Sequence, residues 1–249
     1  MTPYEAMVRL YPSDHPRDEM LGVLEETGRR WHREAPSLLL GALRARSGGG
    51  HPARLRWLYA TRAAALMLLV AGATAPILDL RYGVILLNNL MIATWICAGL
   101  AAAAVMLGTR VPALGLSLSA LLLAGTDQTS TAAIAAYTLA AVLLLLPGPP
   151  LPVRNPLPIL LAIAWAVDYT MPPWSQSALM IALLLWTLID ERILLATGLA
   201  LSAGLITATE EVAAATDPRG LMIVAAWRLG IPLALIAVGA TLIHHRVKA

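Results

Sequence analysis

Residues 59–78, with the sequence YATRAAALMLLVAGATAPIL, are the stretch that decides the fold class. They form a continuous apolar run in which Arg62 is the single charged side chain. A transmembrane helix needs ~20 predominantly apolar residues, whereas a surface helix of a soluble protein carries a polar face. The stretch therefore predicts a helix that crosses a lipid bilayer.

The composition of the whole chain agrees with this prediction. Of the 249 residues, 58% are hydrophobic and 13% are charged, and the mean hydropathy is +0.70. Ordinary soluble domains are roughly 45–50% apolar and about 25% charged, so this chain is too apolar for a soluble core. The single cysteine, Cys97, excludes a disulfide-based scaffold, and the high hydrophobicity excludes disorder over most of the length.

Apolar runs separated by short polar breaks continue through the rest of the chain. They predict an all-α, polytopic transmembrane helical bundle of about eight spans, preceded by a short cytosolic helical segment. The predicted spans are 59–78, 83–107, 111–125, 130–147, 157–172, 175–190, 192–209 and 220–243. Several are near the lower limit of about 17 residues for a span, so a six-helix arrangement is the alternative.

The basic residues support eight spans and give their orientation. With the N-terminus inside, fifteen of the eighteen Lys and Arg residues fall on the cytoplasmic side, in agreement with the positive-inside rule. Arg81 and Arg219 fall outside, and Arg228 lies within the last span. Removing one span would reverse every later loop, so we expect both termini to be cytoplasmic.

Two domains are predicted. Residues 1–50 form a cytosolic helical prefix that ends in a Gly-rich linker, and residues 51–249 form the transmembrane domain. Within the second domain, the segment 147–156, PGPPLPVRNP, cannot be helical because of its prolines. It separates two halves of four spans each.

The prefix is predicted to fold as a helical hairpin. Pro3 occupies the first position of one helix, and a second helix begins at Pro16. Apolar side chains recur at helical spacing in both helices: Tyr4, Met7, Val8 and Tyr11 in the first, and Met20, Leu24 and Trp31 in the second. Because Pro12 and Pro16 force a turn, we expect these two stripes to pack against each other.

Polar residues at membrane depth are the candidate functional residues, because burying them in lipid is costly. Asp168 and Arg228 both fall in the outer third of their spans, where they could form an ion pair that acts as a gate or an ion-coupled site. A pair that only fixes helix packing, or an arginine that extends to the interface, is the alternative that we favour. Asn88 and Asn89 lie near the outer end of the second span, and we expect interhelical hydrogen bonds there.

Two further features of the spans are predicted to be structural. Asp190, Glu191 and Arg192 read as a solvated cytoplasmic turn. A ridge of small residues at every fourth position predicts close packing of the seventh span against another helix. The ridge consists of Ala196, Ala200, Gly204 and Ala208.

Enzyme signatures are missing from the sequence. It has no phosphate-binding Gly-x-x-x-x-Gly-Lys-[Ser/Thr] loop, no Gly-x-Ser-x-Gly and no His-Glu-x-x-His. None of the five histidines lies in the middle of a predicted span. We therefore expect no catalytic residue, no cofactor and no metal site. We also expect no nucleic-acid binding, because the arginines flank apolar spans and no reading motif accompanies them.

The N-terminal residues resemble the short prefix found on many bacterial permease-like membrane proteins. Leu10-Tyr11-Pro12 and Glu19-Met20-Leu21 match its Leu-Tyr-Pro and Glu-Met-Leu motifs, whereas the segment between them departs from the usual pattern. The resemblance covers about 25 residues and transfers no catalytic residue. It implies an actinobacterial-type inner-membrane protein associated with ABC-type permease systems, with an ABC-type ATPase or another membrane subunit as partner.

Two functions follow as hypotheses. In the first, the chain is a permease-like or accessory component of a transport system, which predicts a polar cavity near mid-membrane. In the second, it is a non-transporting scaffold or regulator that holds a cytosolic partner through its N-terminal helices. That function predicts a core filled with Leu and Ala and an exposed apolar stripe on the prefix.

Overall fold

The computed structural model describes residues 3–11, 16–27, 35–39, 41–42, 52–81, 88–126, 130–167, 178, 181–182, 185–186, 190–206 and 218–248. All regular secondary structure in these residues is helical. The helices are α1 (Pro3–Val8), α2 (Arg17–Thr27), α3 (Ala53–Arg81), α4 (Asn89–Met106), α5 (Arg110–Thr126), α6 (Thr131–Leu145), α7 (Leu157–Val167), α8 (Glu191–Leu201), α9 (Pro218–Ala225) and α10 (Ile231–Lys248). A π-helical turn, Ala226–Gly230, joins α9 to α10.

Three helical stretches are long and apolar enough to cross a membrane: Ala53–Pro76, Asn89–Met106 and Leu221–His244. The helices Arg110–Thr126 and Thr131–Leu145 are apolar but shorter. The all-helical fold is therefore as predicted, and its composition is that of a membrane-associated protein. The finer prediction of eight spans is not confirmed by these three stretches.

The helix α3 is the central element of the described bundle. It packs against α4, α6, α7, α8 and α10, which come from both predicted halves of the chain. Its residues Ala63, Ala64, Ala65, Leu66 and Leu69 have no exposed surface. The alanines allow the backbones of neighbouring helices to approach closely, as in helix pairs of membrane proteins.

The remaining packing follows the chain order. α4 contacts α5, and α5 contacts α6, so the first half forms consecutive neighbours around α3. In the second half, α8 packs against α10. Two glycines make this contact possible. A Cβ added to Gly198 would lie 2.9 Å from the backbone nitrogen of Ile236, and a Cβ added to Gly239 would lie 2.9 Å from the backbone nitrogen of Leu195. The predicted small-residue ridge on this helix agrees in part: Ala196 is buried, but Gly198, which makes a close approach, is not part of the ridge, and Ala208 lies outside the described residues.

A connector without helical structure, residues 146–156, links α6 to α7. Leu146 already has an extended backbone, with φ −61° and ψ 119°. The predicted interruption by prolines is confirmed here, because proline lacks the N–H that would continue the helix.

The prefix forms the two helices that its sequence predicts. α1 contacts α2, and Val8, Tyr11 and Ala42 are buried. Burial raises the pKa of the Tyr11 hydroxyl above its ordinary value. Trp31, which we expected to join this contact, lies outside the residues that the structure describes.

Candidate functional site at the basal end of the bundle

Charged residues from α3 and α8 form a buried ion pair. Arg56 donates from Nη1 to Oε1 of Glu191 over 2.8 Å, and the two side chains are 4% and 6% exposed. The residues are separated by 135 positions in the chain. An ion pair removed from water persists only when its geometry is good and its charges are matched, so this contact fixes the start of α8 against α3.

A second ion pair lies beside the first. The side chain of Asp190 caps α8 by accepting a hydrogen bond from the backbone N–H of Arg192 over 3.1 Å. The guanidinium of Arg192 binds the same carboxylate through Nε at 2.7 Å and Nη2 at 2.8 Å. Burial raises the pKa of the Asp190 carboxyl, and the hydrogen bonds and charge of Arg192 oppose that shift.

The Arg192 guanidinium also stacks on an aromatic ring of the central helix. Its Cζ lies 4.0 Å from the ring centroid of Tyr59. A desolvated cation over an aromatic face contributes up to about 2 kcal/mol. Arg56 and Tyr59, one turn apart on α3, therefore hold the two charged residues that begin α8.

Two further arginines bond to the end of α6 and to the connector 146–156. Arg110 donates to the carbonyl oxygens of Leu144 over 2.8 Å and of Leu145 over 2.6 Å. Arg62 donates from Nη1 to the carbonyl oxygen of Leu151 over 3.3 Å. Carbonyl groups at the end of a helix and in a connector have no helical hydrogen-bond partners, so these arginines satisfy them.

A glycine allows the connector to approach α4 closely. Gly108 has a φ of 80°, a conformation that favours glycine, and an added Cβ would lie 2.9 Å from the backbone nitrogen of Pro152.

The charged residues described above, together with Tyr59, are called the basal cluster, and the end of the bundle that they form is called the basal end. The cluster consists of Arg56, Tyr59, Arg62, Arg110, Asp190, Glu191 and Arg192. The cluster holds four arginines and two acids, which gives it an excess of positive charge.

The prediction of a solvated turn at residues 190–192 is wrong. Asp190, Glu191 and Arg192 are each buried, because Arg56 and Tyr59 of α3 contact Glu191 and Arg192, and Arg192 in turn pairs with Asp190. A run of three charged residues normally indicates exposure, so the turn itself gave no signal. The one available signal was the spacing of Arg56 and Tyr59 at i and i+3, which places both on one side of α3.

Of the four intramembrane candidates predicted from the sequence, the structure describes Asn88, Asn89 and Arg228. Asp168 lies outside the described residues, so its pairing with Arg228 stays a prediction. Asn88 caps α4, accepting a hydrogen bond from the backbone N–H of Met91 over 2.8 Å. Asn89 is exposed in the first turn of the same helix. The hydrogen bond shown for Asn88 is therefore local to the start of its own helix, and the interhelical hydrogen bonds that we expected stay a prediction.

Arg228 lies in the π-helical turn and packs against Gly204, which follows the end of α8. An added Cβ at Gly204 would lie 3.1 Å from Nη1 of Arg228. The turn has a physical cause in Pro232, whose ring would collide with the carbonyl of residue 228 in a regular helix. The backbone widens, and the N–H of Ile231 bonds to the carbonyl of Ala226 five residues back.

Polar groups elsewhere in the bundle are mostly satisfied within their own helix. Threonine hydroxyls donate to carbonyls three or four residues earlier, at Thr61, Thr74, Thr94, Thr138 and Thr197. A cavity of about 340 Å³ between α3, α4 and α7 is lined almost entirely by apolar atoms, with Trp95 and Ile163 on its walls. Among the described residues, no three His, Cys, Asp or Glu side chains are grouped to hold a metal ion.

The chain matches none of the family models, curated proteins or solved structures with which it was compared. Its function therefore has to be argued from its own residues.

Proposed function

We propose that this chain is an integral-membrane accessory subunit of a bacterial transport system, which holds a cytosolic partner through its N-terminal helices. The observation that carries the proposal is the basal cluster together with the Ala- and Leu-rich core. Two buried ion pairs and a clamped connector favour a fixed framework over an alternating passage. Such a framework suits a subunit that anchors a partner at the membrane.

The surface of the prefix supports the same role. Val23 on α2 is 64% exposed, although Val8 and Tyr11 of the same segment are buried. Leu39 of the same prefix is 43% exposed, and Val23 and Leu39 are the apolar positions at which a partner would contact the prefix. The resemblance of the prefix to those of permease systems makes an ABC-type ATPase the expected partner.

Copurification tests this proposal. We expect the full chain, extracted in mild detergent from its native cells, to copurify with an ABC-type ATPase identifiable by mass spectrometry. Val23→Glu should reduce the recovered ATPase several-fold, because it places a charge in the apolar contact. The matched control is Glu26→Gln, an exposed position on the same helix. Recovery of no ATPase by the unaltered chain would reject the proposal.

The second candidate is a permease that passes substrate directly. The observation in its favour is Arg228 in a π-helical turn, since such turns occur frequently at functional sites. If Arg228 pairs with Asp168, Arg228→Leu alone should lower thermal stability in detergent, whereas Asp168→Leu combined with it should restore much of the loss. This candidate is supported if the double variant is stable but no longer stimulates ATP hydrolysis by the copurified ATPase. It is contradicted if the double variant still stimulates ATP hydrolysis.

A further inference from the structure

The basal cluster contains a buried cationic group whose hydrogen bonding is incomplete. Arg62 is 4% exposed, and its Nη2 has no hydrogen-bond acceptor in the described part of the chain. Arg110 lies near Arg62, because Gly108, two residues before Arg110, packs against the backbone of Leu151, whose carbonyl oxygen accepts a hydrogen bond from Arg62. Two like charges held close together in a poorly hydrated place are costly unless an anion joins them.

Both arginines stand at the start of an uncharged, apolar stretch. Arg62 directly precedes residues 63–78, and Arg110 directly precedes residues 111–126, and neither of these stretches contains a charged residue. In a membrane, that boundary lies at the level of the lipid headgroups. Basic groups between helices at the cytoplasmic headgroup level are typical binding sites for anionic lipids.

The surface around Arg110 is apolar and open. Leu107 is 75% exposed, Val111 78% and Leu145 56%. A free inorganic anion would gain nothing from these side chains, whereas the acyl chains of a lipid would cover them. The combination of paired guanidinium groups with adjoining apolar surface therefore favours a lipid.

We propose that Arg62 and Arg110 form a binding site for the phosphate group of an anionic membrane lipid, whose acyl chains lie over Leu107, Val111 and Leu145. The lipid phosphate supplies the acceptor that Nη2 of Arg62 lacks and neutralises the excess positive charge of the basal cluster. Guanidinium groups suit this role because their planar donors match phosphate oxygens.

Lipid binding to the full chain in detergent micelles tests the site. Phosphatidylglycerol should raise the thermal midpoint of unfolding more than phosphatidylcholine does, and native mass spectrometry should show retained phosphatidylglycerol. Arg110→Gln should lower the apparent affinity for phosphatidylglycerol about fivefold, the equivalent of the ~1 kcal/mol that one basic residue contributes at an anionic membrane surface. Arg110→Lys should keep most of the preference for the anionic lipid, because it keeps the charge.

The control is Arg54→Gln. Arg54 is an exposed arginine at the same end of α3 and is not part of the basal cluster. It should bind phosphatidylglycerol as the unaltered chain does. An equal loss in Arg54→Gln and Arg110→Gln would overturn the site, since it would show a diffuse charge effect. Equal stabilisation by inorganic phosphate and by phosphatidylglycerol would overturn the assignment to a lipid. Arg62→Gln, where it folds, should match Arg110→Gln. No partner ATPase takes part, so these results are separate from the proposed function.

Discussion

Of the two longest candidate spans, the less apolar one is the more buried. In Ala53–Pro76, with a mean hydropathy of 1.5, 72% of the apolar window is buried inside the protein. In Leu221–His244, with a mean hydropathy of 2.2, only 6% is buried. The less apolar helix is the central one: Glu191 of α8 pairs with its Arg56, and its Thr61 and Thr74 bond to carbonyls within the helix itself. The more apolar helix exposes most of its side chains, which can face lipid, although one side of α10 packs on α8.

This contrast means that hydropathy identifies a span but does not say where the span lies in the bundle. Several polar residues of Ala53–Pro76, among them Arg56, Thr61 and Arg62, are buried, whereas Arg54 near its start is exposed. Polar residues in an otherwise apolar stretch are therefore the better indication of a central helix.

The largest effect is expected from breaking the ion pair of the central helix. Glu191→Leu leaves the Arg56 guanidinium buried without its carboxylate, which typically costs ~3–5 kcal/mol. Arg56→Met combined with Glu191→Leu should recover much of that loss. Thermal or denaturant unfolding in detergent gives the values, and Arg54→Gln serves as the exposed control. Purely additive losses in the double variant would show that the pair does not couple α3 to α8.

A smaller loss is expected from shortening a buried apolar side chain. Leu66 in α3 has no exposed surface, whereas Leu233 in α10 is 52% exposed. Leu66→Ala should cost ~2–4 kcal/mol because it leaves a cavity in close-packed surroundings. Leu233→Ala should cost less than about 1 kcal/mol, because lipid fills the space. Equal losses at the two positions would contradict the difference between the spans.

The two spans should also differ in how they tolerate an added methyl group. At Gly72 in α3, a Cβ would lie 2.7 Å from Cε1 of the buried Tyr137 ring, whereas at Gly230 it would meet nothing within 4 Å. Gly72→Ala should destabilise the protein by ~1–3 kcal/mol through overpacking. Gly230→Ala should leave the unfolding temperature unchanged or slightly higher. A neutral Gly72→Ala would mean that the Tyr137 ring moves freely.

The smallest effect is expected from replacing one cation by another. Arg192→Lys keeps the charge but loses the two-point contact with Asp190 and the planar stacking on Tyr59. The expected cost is about 1 kcal/mol, measurable by the same unfolding experiment. If Arg192→Lys destabilised as strongly as Glu191→Leu, the geometry of Arg192 rather than the Arg56–Glu191 pair would hold the basal end together.

Much of the helical architecture could be predicted from the sequence, because it depends on local signals. The prolines of residues 147–156 predict the connector, and Pro3 and Pro16 mark the starts of the prefix helices. The basal cluster could not be predicted in this way. Arg56 and Glu191 meet across 135 positions, and hydropathy treats each of them as a solvated charge. The number of spans was equally inaccessible, since short apolar helices such as α6 satisfy composition but not length.

The candidate residues show the same division. Asn88 has the residue type and spacing of a helix cap, so its local hydrogen bond was accessible to sequence reasoning. The π-helical turn around Arg228 also has a sequence signal in Pro232. By contrast, the pairing of Arg228 with Asp168 is a long-range prediction that the described residues do not include.

The most direct measurement is cysteine labelling at the basal end, which tests whether the basal cluster lies at the cytoplasmic face of a membrane-embedded bundle. Cys97, the single cysteine of the chain, is first replaced by alanine, and Arg154→Cys and Thr126→Cys are then made separately. Both positions are exposed. A membrane-impermeant maleimide should label position 126 in intact cells and position 154 only in inverted vesicles. Labelling of position 154 from outside the cell would contradict the cytoplasmic placement of the basal cluster and the eight-span topology together.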